Sequence, residues 1–181
     1  MQEFQANSLL ISSAVLCAGI ASVFDVQTRR IPNWLTGGSI LIALCLQALR
    51  GWDGFALSLL AGLLGGGVLF LFFIAGGMGA GDVKLMAAVS CFTGLRLLPT
   101  VLLATALSGA VFALALAWRS GRLRLTLTNM LKLLEHHSSK GLLPHSEINM
   151  AVAPTLRIPY ALPILFGCAV ALAQQLQGTS T

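Results

Sequence analysis

The sequence predicts an all-α protein, a polytopic bundle of about six transmembrane helices folded as one domain, 1–181. Three observations predict it. The chain is 56% hydrophobic and only 9% charged, where a soluble domain carries about 25% charged residues. Its apolar residues come in long runs, most of them near the roughly 17–25 residues needed to cross a hydrocarbon core of about 30 Å. Its basic residues fall almost entirely on one side once those runs are threaded through a bilayer.

The first run covers about 8–24. It is preceded by Glu3 and by no Lys or Arg, and no small-x-small site follows it, so it is expected to remain as a helix and not to be removed as a signal peptide. The second covers about 34–49 and the third about 55–75. A glycine-rich stretch at 76–81 leads into a shorter apolar piece, about 83–95. The fifth run covers about 97–118 and the sixth about 158–176.

The fourth piece is short, about 20 Å at 1.5 Å per residue, and the charges decide whether it crosses. With six crossings and the N-terminus outside, Arg29, Arg30, Lys84, Arg119, Arg122, Arg124, Lys132, Lys140 and Arg157 share the inner side. Only Arg50 and Arg96 lie on the other, which satisfies the positive-inside rule. Removing the fourth crossing would set the basic segment after Trp118 across the membrane from Arg29 and Arg30. The long inner connection, 119–157, begins with Leu123, Leu127, Met130, Leu131 and Leu134 at helical spacing, the pattern of an amphipathic helix lying on the membrane surface. The net charge of +5 is therefore topological. It flanks apolar runs without an aromatic-lined patch, and no nucleic acid is expected as a partner.

Cys17, Cys45, Cys91 and Cys168 lie singly in apolar runs and form no C-x-x-C pair, so they are expected in helix packing and not in a zinc site or disulfide framework. His136, His137 and His145 match no familiar ligand spacing and are read as solvated loop residues; no metal or cofactor is expected. Gly62 and Gly66 form a small-xxx-small pair, whose ordinary role is helix packing.

The whole chain holds six acidic residues. Glu3 and Asp53 fall outside, and Glu135 and Glu147 fall in the inner connection. Asp25 and Asp82 sit where apolar helices meet the inner face, a costly place for a charge and so a functional candidate. Two carboxylates held close cannot both ionise easily, so they share a proton. The ionised one can activate water while the protonated one polarises a carbonyl and then donates to the leaving amine. That is peptide hydrolysis without metal or covalent intermediate. Asp82 ends the run Gly77-Met78-Gly79-Ala80-Gly81, whose glycines allow close backbone approach by a substrate strand. Asp25 precedes Arg29-Arg30-Ile31-Pro32-Asn33, a basic loop with a proline breaker. Plainer roles exist for both: an ion pair of Asp25 with Arg29, and a helix-capping role for Asp82. A phosphate loop is excluded, since Asp82 stands where Gly81 would need to be followed by Lys and Ser or Thr.

These residues carry a resemblance. Asp25 with Arg29-Arg30-Ile31-Pro32-Asn33, then Gly79-Ala80-Gly81-Asp82-Val83-Lys84, then Arg157-Ile158-Pro159-Tyr160-Ala161-Leu162-Pro163, resemble the type IV prepilin peptidases, which belong to the G-x-G-D intramembrane aspartic proteases. The resemblance implies an enzyme of the bacterial inner membrane, with a periplasmic N-terminus, that removes the basic leader of prepilins or pseudopilins at the cytoplasmic face. It implies Asp25 and Asp82 as the catalytic pair, with Gly79, Gly81, Lys84, Arg29, Pro32 and Asn33 shaping the loop or meeting substrate. Larger members carry a cysteine-rich insertion and also N-methylate the new terminus. This chain lacks that insertion between its first two spans, so the resemblance does not carry methylation over to it, and its size is similar to the peptidase of Tad/Flp pilus systems. Two other classes stay open from the residues themselves: a small cation- or proton-coupled transporter with the carboxylates as ion site, and a non-catalytic pilus assembly scaffold. An amide in place of either aspartate separates them, because a scaffold tolerates it.

Overall fold

A computed structural model describes residues 2–121 and 159–177. They form five helices: α1 Gln2–Thr28, α2 Asn33–Ala48, α3 Trp52–Ile74, α4 Ala80–Arg119 and α5 Ala161–Gln177. The expected amphipathic helix within 119–157 and the three histidines lie outside the described residues.

The side chains are sorted for a lipid solvent. On α3 the inward face is Ser58, Ala61, Gly62, Gly65, Gly66 and Leu69, while Leu57, Leu63, Phe70 and Phe72 are exposed. Lipid offers Leu and Phe as good a home as a core does, so association rests on close packing of small residues. The seam between α3 and α4 shows it. A β-carbon placed on Gly62 would collide with Cys91, one on Gly65 would stand 2.8 Å from the Ser90 β-carbon, and one on Gly66 would stand 3.0 Å from that of Ala87. The Ser58 hydroxyl donates to the Cys91 carbonyl at 2.8 Å across the same seam. The helices α1 (from Gln5), α3 and α4 are long and apolar enough to cross a membrane, and α2 and α5 are shorter apolar helices. The chain is a helical membrane protein.

The sequence reading separates the fourth and fifth runs near Arg96. The break instead lies at Gly94, whose φ of 69° and ψ of 177° interrupt α4, a combination essentially confined to glycine. There the chain folds back. Along the second arm of α4, the Thr100 hydroxyl donates to Gln174 Oε1 (2.7 Å), Thr105 and Val101 crowd Gly167, the Ser108 hydroxyl reaches the Pro163 carbonyl (3.3 Å), and Gly109 meets the Tyr160 ring. As the arm runs forward its partners on α5 run backward, so the arm returns toward the end where α4 began. α4 touches all four other helices and forms the centre of the bundle.

Of the four cysteines, Cys17, Cys91 and Cys168 are buried, as expected for packing. Cys45 is exposed, because its position on α2 faces away from α3 and α4. Gly62 and Gly66 pack as expected.

Candidate active site

Asp25 lies in the last turn of α1. Its carbonyl accepts the Arg29 N–H at 2.9 Å, and Arg29 has φ 53°. This is a left-handed helix end closed by a single five-to-one bond, formed by a residue with a β-carbon at a cost of about 1–2 kcal/mol. The turn lets the chain leave α1 and begin α2 just after Pro32, whose φ of −63° and extended ψ serve as the helix entry. Phe24 and Trp34 meet edge to face across this turn, with ring centroids 6.1 Å apart.

Asp82 lies in the first turn of α4. One of its oxygens accepts the Gly79 N–H at 3.3 Å, the reach-back that an acid at the third helical position makes to a helix start. The capping role foreseen for Asp82 is thus present, but made from within the helix. A β-carbon on Gly81 would stand 3.3 Å from that of Ile31, so the 29–33 loop lies directly over the glycine run. Lys84 Nζ donates to Asn33 Oδ1 at 2.9 Å. The lysine therefore ties the start of α4 to the start of α2 and does not hold a carboxylate. Arg29 offers Asp25 its backbone, and no salt bridge of either aspartate forms among the described residues.

Two residues outside the expected set complete the site. The Ala161 N–H, at the start of α5, donates to Asp25 Oδ2 at 3.3 Å, and Tyr160 lies within electrostatic reach of Asp82. Nothing in the residue types marks Ala161, because its contribution is a backbone donor. The useful sequence signal is the pair Pro159 and Pro163 around it, which fixes where the helix starts. Phe24, Ile31, Met78, Val83 and Tyr160, near the aspartates in sequence or on the adjoining loops, are partly buried and pack against the core.

The two carboxylates come from helices 57 positions apart in sequence, yet each lies within the other's electrostatic field and each is partly buried. Each spends one oxygen on a backbone N–H; its other oxygen has no hydrogen bond to the described residues. Two such oxygens, partly buried and beside a glycine loop, suit a water held between an acid and a base. Among the described residues no three of His, Cys, Asp and Glu gather as a metal-ligand set.

Fold and site together define a helical membrane protein that presents a pair of carboxylates at one end of its bundle. The profile of the type IV leader peptidase family matches residues 12–114, which include both aspartates. The chain belongs to that family. It is 35% identical over 134 residues to prepilin leader peptidase/N-methyltransferases of Burkholderia pseudomallei, from strains 1026b and K96243, covering 67% of this chain. It spans 42% of the length of those relatives. No solved structure matches it.

Proposed function

We propose that this chain is a membrane aspartic endopeptidase that removes the basic leader of type IV prepilins and pseudopilins, of the Flp/Tad type, at the cytoplasmic face of the bacterial inner membrane. Asp25 and Asp82 are the catalytic pair. The observation that supports the reading is their placement at one end of the bundle within electrostatic reach of one another, each with an oxygen that no described residue hydrogen-bonds. One carboxylate, ionised, takes a proton from water as the water attacks the scissile carbonyl. The other, protonated, hydrogen-bonds the carbonyl oxygen and then gives its proton to the leaving nitrogen. Ala161 and Gly79 keep the carboxylates aimed, and the glycine run leaves room for an extended substrate backbone. Arg29, Pro32 and Asn33 form the rim above it.

The reading includes six crossings of one domain with a periplasmic N-terminus. The reversal at Gly94 supports it: α4 has 40 residues, about 60 Å of helix, twice a bilayer core, and only a fold-back keeps it within one membrane. The N-methyltransferase part of the relatives' name forms no part of the proposal. A coupled-ion transporter is less well supported, because coupling sites lie near the bilayer midplane and this pair lies at helix ends.

Co-expression with a prepilin from the same genome tests the reading, with leader loss followed by mass for wild type, Asp25→Asn and Asp82→Asn at equal membrane levels. Cleavage by wild type alone is expected. Cleavage by all three would remove the aspartates from the mechanism.

A further inference from the structure

At the other end of the bundle lies a cavity of about 700 Å³ that the reaction does not use. It opens where α4 breaks, and Asn7, Gln47, Arg50, Ser58, Thr93 and Arg96 bring polar groups to its wall. Along α1, Asn7 and Asp25 are separated by about 27 Å of helix, so cavity and carboxylates serve opposite faces of the membrane.

The cavity wall is one-sided in charge. Two arginines line it from different elements, Arg50 from the α2–α3 turn and Arg96 from just beyond Gly94, and none of the described residues lining it is acidic. Asp53, on the first turn of α3, is exposed and lies outside the lining. Arg50 Nη1 donates to Asn7 Oδ1 at 2.6 Å and approaches Gln47 Oε1 at 3.4 Å. These neutral acceptors occupy one nitrogen of a fork that carries five N–H groups. The Arg96 guanidinium has no hydrogen bond to any described residue. Thr93 also lines the cavity, with its hydroxyl oxygen buried beneath the wall and not hydrogen-bonded to any described residue. The second arm of α4 also begins here, and the first N–H groups of a helix lack intrahelical acceptors and carry the positive end of its dipole.

One arginine at a membrane boundary is an ordinary snorkelling side chain. Two of them, from different elements at one cavity and beside a helix start, make a convergent set of donors. Guanidinium forks match phosphate oxygens in pairs; apolar Leu57 lines the same cavity, and Leu9 and Leu103 on neighbouring helices are exposed, a surface that suits acyl chains. We infer that this cavity binds the phosphate of an anionic phospholipid in the leaflet opposite the aspartates.

The test uses the full chain in a neutral detergent. Its thermal transition is followed while phosphatidylglycerol, phosphatidylcholine or inorganic phosphate is added, for wild type, Arg50→Gln/Arg96→Gln and Arg50→Lys/Arg96→Lys. Phosphatidylglycerol is expected to raise the wild-type transition saturably. The glutamine pair should need about ten-fold more lipid, an effect of the size expected for charge-assisted bonds, and the lysine pair should fall between. An equal response of wild type and the glutamine pair overturns the site, and so does an equal response to phosphatidylcholine. A shift with inorganic phosphate that depends on the arginines and matches the lipid's would overturn the lipid as its source. Should the paired glutamine variant lack a cooperative transition, Arg50→Gln and Arg96→Gln are titrated singly against the same criterion.

Discussion

The two ends of this bundle hold their polar groups in opposite ways. At the aspartate end, Asp25 and Asp82 each take a backbone N–H, from Ala161 and Gly79, and Lys84 bridges to Asn33. Short connections lie over the site, and Ile31 presses on Gly81. At the arginine end the helices part at Gly94 and leave a cavity whose donors meet no acid among the described residues. Backbone donors aim the first site before any substrate arrives. The second gathers charged donors in a cavity and not on a backbone frame. Pre-aimed groups suit chemistry, whereas unmatched donors suit binding.

Several substitutions can break or sharpen this contrast. The largest effect is expected from Asp25→Asn or Asp82→Asn. Each should lower leader cleavage by a factor on the order of 10²–10⁴, the range for general acid–base groups, with the double change little worse than either single one because the pair acts as a unit. Neither should alter the thermal response to phosphatidylglycerol, and a joint loss would show that the ends are not independent.

Next comes Gly94→Val, which forces a β-branched residue into φ 69°. It should cost about 1–3 kcal/mol, read as a lower thermal transition. Gly67→Val, where a β-carbon meets nothing within 4 Å, should change it little. Equal transitions for the two would deny that the break is held by backbone conformation.

At the aspartate end, Gly81→Val should reduce cleavage by about ten-fold, since overpacking costs about 1–3 kcal/mol and here it pushes on Ile31. Gly81→Ala should reduce it less, because Ile31 has to give by only a few tenths of an ångström. The smallest effect belongs to Lys84→Ala, which loses one hydrogen bond worth about 0.5–1.5 kcal/mol. Cleavage should fall by a few-fold, and a loss as deep as that of an aspartate variant would give the lysine a direct part in the reaction.

Much of this was legible in the residues. Helices announce themselves by apolar runs, and the two acids at helix ends stand out because charge is scarce in such a chain. The family read from the Asp25, Gly79–Asp82 and Pro159–Pro163 segments is the family the comparison found. Other features carry no such mark. Ala161 acts through an N–H that every residue but proline owns. The break at Gly94 was set two residues too late, since Arg96 is the visible interruption in the hydropathy while the conformational one is a glycine with no side chain to notice. The resemblance assigns Lys84 to the loop or the substrate without naming a partner for it. Its partner is Asn33, a choice made by how α2 and α4 meet and invisible in either segment alone. The cavity arises from the meeting of all five helices, which no single stretch encodes.

The bond from Ala161 to Asp25 joins the first helix to the last one described. A ribosome delivers Asp25 well before Ala161, with α2, α3 and α4 made in between. Asp25 therefore waits in the membrane without its aiming donor until α5 docks, and Tyr160 arrives beside Asp82 at the same moment. Chain order thus works as a timer: the half-made protein holds both acids and is not yet a finished site.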